Sequence, residues 1–181
     1  KNAKSNAALS LCFDLMGANS YTWGIRHNLM HHSFANIYGA DGDLESMPLL
    51  RLCVRPGRKW FHAYQHIYAP LLFGMLTLVW IAGPKDFKHL FEEHRTGYTS
   101  RRIPKSAYIK LIVFKPLHWF MHIVIPIFIV GLPVGSVLLG FFVMHYTTGL
   151  TLALIFQLGH NVEGPPIIYD TPDDKVHTPW L

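Results

Sequence analysis

The chain has 181 residues, 50% hydrophobic, 14% aromatic and 15% charged, with positive mean hydropathy and a formal net charge of +5. The length suits one ordinary domain, but that balance points to lipid. The basic residues adjoin the apolar runs rather than forming a basic domain, which argues against a nucleic-acid partner and for anionic lipid head groups or the phosphates of an acyl-CoA. Cys12 and Cys53 lie in stretches placed near a cytosolic face and imply no disulfide framework. The chain opens at Lys1 rather than at a methionine, shows no signal-peptide pattern, and reads as a piece of a longer protein.

Residues 1–66 are polar and rich in histidine, and their most informative stretch runs from Trp23 to Asn36. It contains an H-x-x-x-H-H cluster, His27, His31 and His32. In a helix His27 and His31 share a face one turn apart, and His32 points about 100° away from His31. Three imidazoles so placed can be shared between neighbouring metal ions, and neutral imidazole suits iron, copper or zinc; no paired cysteines lie nearby to suggest a thiolate site. The competing reading is a wet, histidine-rich surface helix. Asp41-Gly-Asp43-Leu-Glu45 reads as a turn, since it lacks the further ligands of a calcium loop. Asn36 and Asp41 are candidates to hold ligand histidines from behind. His62 and His66, with Trp60, Tyr64 and Tyr68, read as an interfacial belt.

Residues 67–83 form a 17-residue apolar run with Pro70 in its first turn, a length that fits either a membrane crossing or an interfacial helix. Residues 84–113 read as a basic cytosolic loop: from Pro84 to Pro116 there are eight Lys or Arg, including Arg95, Arg101, Arg102, Lys110 and Lys115, against three acids. Residues 114–157 read as a transmembrane hairpin of Phe114–Leu132 and Val134–Gln157, with Pro133 and Gly135 at its tight turn. His118 and His122 are read as reaching the interface beside Lys115, so that losing His118 costs mainly anchoring. His145, deep in the second run, either lines a substrate tunnel or bonds to the neighbouring helix, and the second is preferred. Residues 158–181 read as a cytosolic segment, with Gly164-Pro165-Pro166 stopping the last helix.

The run SYTWGIRHNLMHHSFANIYGADGDLE, followed by FHAYQHIYAPLLFG, resembles the second histidine box and succeeding segment of membrane fatty-acid desaturases, especially bacterial acyl-CoA or linoleoyl-type enzymes of the linoleoyl-CoA desaturase kind. The resemblance extends through the whole chain. It implies an all-α integral-membrane fold: a transmembrane hairpin with interfacial helices and a cytosolic histidine-rich cap, part of a four-span fold in a single partial domain over 1–181. It also implies a cytoplasmic-side active site with two non-haem iron ions, O2 as co-substrate, and an external electron donor of cytochrome b5 or ferredoxin type. The substrate would be a fatty acyl-CoA or acyl-lipid, and the partners membrane lipid and an electron-transfer protein. His27, His31 and His32 match the second box, and His160 in FQLGHNVE matches an additional ligand, with Asn36, Asp41 and Gln157 behind the ligands and no catalytic residue beyond them. The first and third boxes are expected outside Lys1–Leu181, and this piece alone is not expected to be active. Iron suits the chemistry, since histidine ligands tolerate an oxidant that would endanger cysteine. Two alternatives stay open: a di-iron hydroxylase of alkanes, carotenoids or sterols, and a haem-binding membrane protein using His118, His122, His145 or His160.

Overall fold

Where no water can take up backbone N–H and C=O groups, an apolar run must satisfy them internally, and a helix does so within one segment. The computed structural model describes residues 2–38, 41, 49–52, 57–92, 103–160 and 168–169. In chain order the elements are α1 (Ala3–Leu15) and α2 (Ser20–Trp23), which runs on as a π-helical stretch, Gly24–His31. Strand β1 (Ile37–Tyr38) follows, then a 3-10 turn (Trp60–Tyr64) leading into α3 (Gln65–Gly74), α4 (Leu76–Ala82) and α5 (Lys85–Glu92). Next come α6 (Lys105–Trp119), continuing as a π-helical stretch over Phe120–Ile129, then α7 (Val134–His160) and β2 (Ile168–Tyr169).

Two helices are long and apolar enough to cross a membrane, Lys105–Ile129 and Val134–Gly159, and a third crossing is counted only if the bent pair Trp60–Gly74 and Leu76–Ala82 is one span. The first helix starts at Lys105, well before the apolar run at Phe114, because Pro104 supplies a suitable φ of −67° at the N-cap and Ala107 and Leu111 are buried. Pro126 brings no N–H to the helical ladder, and it lies inside the wide-turn stretch where the ladder is reset. The tight turn uses Gly131, at φ 77°, and Leu132 N–H bonds to Pro126 O at 2.9 Å; Gly135, expected at that turn, lies inside α7.

Each long helix buries one stripe and leaves its other, largely apolar faces exposed. In α6 the stripe is Ala107, Leu111, Lys115 and His118; in α7 it is Val137, Phe141, His145, Gly149 and Ala153. The apolar run at 67–83 becomes two helices bent by 51° at Met75, and α3 begins early enough to leave Pro70 inside it. The break packs on α7 because both surfaces are bare. A Cβ on Gly149 would strike the Gly74 carbonyl oxygen and lie 3.2 Å from Thr77 N, and one on Gly74 would run into the Tyr146 ring.

Beyond α4 the chain returns to the end of the hairpin where α2 packs: Asn19 Nδ2 donates to Ala107 O at 3.1 Å, and Thr22 Oγ1 donates to Asp86 at 3.1 Å. The fold is mostly helical, and one feature departs from an all-α reading. Strands β1 and β2 pair in parallel, Ile37 with Ile168 and Tyr38 with Tyr169, bringing the segment after α7 back beside the segment after the histidines. The expected basic loop is also partly helical, in α5 and in α6 from Lys105. Cys53, Asp43 and Glu45, Arg95, Arg101 and Arg102, Gly164-Pro165-Pro166, and the side chain of His160 lie outside the described residues.

Candidate functional site

The histidine-bearing helix is aimed by its first turn. Asn19 Oδ1 accepts from Tyr21 N at 3.1 Å and from Thr22 N at 3.0 Å, satisfying two otherwise orphaned donors. Asp14, fully buried at the end of α1, accepts from Ser20 N at 2.7 Å and pairs with Lys110 Nζ at 2.7 Å. The helix start is therefore tied to both α1 and α6. From Gly24 the turns widen, and His32 N–H bonds to His27 O, five residues back.

His27 and His31 are buried and His32 is exposed. The rings of His27 and His31 stack at 5.2 Å between centroids, and His32 lies edge-on to both, 4.9 Å from His27 and 5.5 Å from His31. His31 Nδ1 donates to Asp41 Oδ1 at 2.8 Å. The other Asp41 oxygen accepts from Asn36 N at 3.0 Å, so Asn36 contributes its backbone, which it bends through a φ of 64° that asparagine tolerates. A carboxylate holding Nδ1–H fixes the tautomer, leaves Nε2 as the nitrogen for a metal, and raises its basicity.

On the other side of His27, Trp23 stacks at 4.4 Å, and Phe156 of α7 lies 5.1 Å from Trp23 and 5.7 Å from His27. Phe156 precedes His160 by one helical turn, about 6 Å of rise. The backbone of His160 thus ends α7 at the same end of the hairpin as the three histidines, and Gln157 is half-buried next to Phe156. Sequence reasoning passed over Trp23, although its spacing of one turn from His27 was a signal. Among the described residues no three histidine, cysteine or carboxylate side chains converge with metal-binding geometry. The donors nonetheless suit iron in kind: clustered imidazoles, two of them buried, one clamped by a carboxylate, and no thiolate among them.

The histidines of the hairpin are placed otherwise than expected. His118 does not reach the interface; it is buried, with Nδ1 3.0 Å from Leu15 O and Nε2 3.0 Å from His145 Nε2. It occupies the same buried stripe as Leu111, which turns it inward. His145 Nδ1 is 3.1 Å from Thr77 Oγ1 of α4, the neighbouring-helix partner expected for it. Lys110 and Lys115 also differ from free loop charges, since Lys110 pairs with Asp14, and Lys115 pairs with Asp86 at 3.0 Å and bonds to Trp80 O. His62 is buried, with Nδ1 accepting from Lys59 N at 3.1 Å, whereas His66 is exposed.

The profile of the fatty acid desaturase family matches residues 1–180. A sn-1 linoleoyl-lipid 6-desaturase of Arthrospira platensis is 29% identical over 175 residues, 93% of this chain and 45% of that protein. An acyl-lipid (8-3)-desaturase of Physcomitrium patens is 33% identical over 175 residues, 92% of this chain and 35% of that protein. A sn-1 linoleoyl-lipid 6-desaturase of Synechocystis is 24% identical over 176 residues, 96% of this chain and 47% of that protein. The chain spans less than half the length of these curated relatives. No solved structure matches it.

Proposed function

The chain belongs to the fatty acid desaturase family, and from that premise we propose that it forms the histidine-bearing and membrane-hairpin part of an enzyme that places a C=C bond in a fatty acyl chain carried on a lipid. The relatives are named for acyl-lipid substrates, which favours a lipid carrier over CoA. The observation that carries the reading is the buried pair His27 and His31, with His31 clamped by Asp41, at the end of the hairpin where α7 terminates in His160. His27, His31, His32 and His160 would hold part of an iron pair, with further ligands outside this chain.

Iron bound there would supply O2 activation, so that two electrons from an external donor, two protons and the two hydrogens of a CH2–CH2 unit reduce O2 to two waters and leave CH=CH. The chain's own residues do the holding. Asp41 keeps the His31 hydrogen on Nδ1, Trp23 and Phe156 cover His27, and the lipid-facing hairpin keeps water from the acyl chain. The excess of basic residues flanking the hairpin supports a cytoplasmic position for this end, within reach of a soluble or haem-protein donor.

Acyl-product analysis of the full-length protein in a host lacking the double bond tests the reading. Wild type should give unsaturated acyl lipid, and His27→Ala, His31→Ala, His32→Ala and His160→Ala should each abolish it while still inserting into membranes. An oxygen-inserted product from wild type would instead establish the hydroxylase reading, and near-normal turnover in His160→Ala would remove that residue from the ligand set. An intense Soret band would revive the haem reading, which the comparisons do not favour.

A further inference from the structure

Apart from the candidate metal centre, the buried polar groups include a hydrogen-bonded line across four helices, α1, α6, α7 and α4. His118, His145 and Thr77 are all nearly inaccessible, at 4%, 4% and 3% exposure. Their contacts run Leu15 O to His118 Nδ1 at 3.0 Å, His118 Nε2 to His145 Nε2 at 3.0 Å, and His145 Nδ1 to Thr77 Oγ1 at 3.1 Å.

The line has a direction. A carbonyl oxygen only accepts, so His118 carries its hydrogen on Nδ1, and in the neutral ring its Nε2 accepts. His145 must then donate from Nε2, which leaves its Nδ1 to accept from the Thr77 hydroxyl. That hydroxyl is also 2.7 Å from the His145 carbonyl oxygen and shares its hydrogen between the two. His118 is thereby held at both ring nitrogens, with the Leu15 carbonyl setting its tautomer and His145 occupying Nε2.

The other end of the line is Leu15, the last residue of α1. Gly17 follows at φ 85°, where a Cβ would lie 2.8 Å from Ile81 Cγ1 and 3.3 Å from His118 Cγ. Asn19 then caps the helix that carries His27 and His31. His118 thus bonds to one side of this turn and packs against its apex. From Ser20 to His31 is about 15 Å along the helix, so a tilt of about 10° at the turn would move His31 by about 2–3 Å, more than a metal site tolerates.

We propose that His118 is a positioning residue: through its Nδ1–H bond to the Leu15 carbonyl it fixes the α1–α2 turn and so sets the histidine-bearing helix against the hairpin. Its consequence for iron rests on the proposed function, but its effect on the helix does not. The test uses His118→Asn, whose amide keeps a donor near the Nδ1 position, and His118→Gln, whose longer side chain puts the amide near Nε2.

In the full-length protein, His118→Asn should keep wild-type iron content and wild-type amide exchange over residues 20–31 in the iron-free state. His118→Gln should lose about tenfold in iron affinity and exchange about tenfold faster over that helix, with α7 unchanged. Wild-type exchange and iron content in both variants would overturn the proposal, and so would equal loss in both with exchange rising throughout α6 and α7. If wild type itself binds no iron while the exchange still divides the variants as expected, the metal reading fails and the positioning role stands.

Discussion

At the scale of single residues, the clearest dependence is that of His31 on Asp41. Asp41→Asn preserves the shape of the partner but removes the negative charge that fixes the tautomer and raises the basicity of the ring. Iron affinity of the full-length protein should fall by about tenfold, read as iron retained against a graded chelator; unchanged retention would mean that the carboxylate only shapes the turn. Gly17→Ala carries both a φ of 85° and a Cβ 2.8 Å from Ile81, and should cost about 2 kcal/mol of stability, measured by unfolding in detergent. The histidine cluster stands in the sequence as a motif, and a carboxylate ten residues after His31 was a reasonable candidate to hold it. The demand for glycine at 17 was not legible, because it comes from Ile81 and His118, far along the chain.

At the scale of elements, apolar length alone announced the hairpin, and the described helices extend it at the Lys105 end of α6. Charge counting does not show which charges are paired. Lys110 and Lys115 sit on or beside the buried stripe of α6 and spend their charge on Asp14 and Asp86, partners supplied by other elements and so invisible to a count along the sequence. His118 was misplaced for the same reason, although its register with Ala107, Leu111 and Lys115 on one face was available to a helical-period reading. Lys115→Ala leaves the largely buried Asp86 carboxylate unpaired and should destabilise by about 3–5 kcal/mol, whereas Lys115→Met combined with Asp86→Leu should recover most of that loss. Thermal unfolding of the purified protein compares them; equal stability of all three would show that the pair contributes nothing. Gly149 and Ala153 in α7 were a further unused signal, since small residues on one stripe admit a close neighbour, here the Gly74 bend.

At the scale of the whole molecule, α2, the start of α6, the end of α7 and the β1–β2 pair gather at one end of the hairpin. In a protein with Cys12 and Cys53 replaced, single cysteines at Lys4 and Lys105 should therefore label from one side of sealed vesicles and one at Leu132 from the other. Opposite labelling of Lys4 and Lys105 would separate the histidine helix from the hairpin's base. The sequence left the run at 67–83 undecided between a crossing and an interfacial helix because length cannot distinguish them, and only the 51° bend and its packing on α7 describe what it becomes.

The central claim is that these histidines hold iron, and metal analysis of the purified full-length protein tests it most directly. Wild type should carry an iron pair per protein, with His31→Ala retaining half of it or less while inserting and folding normally. Iron-free wild type under iron-replete expression, or undiminished iron in His31→Ala, would contradict it.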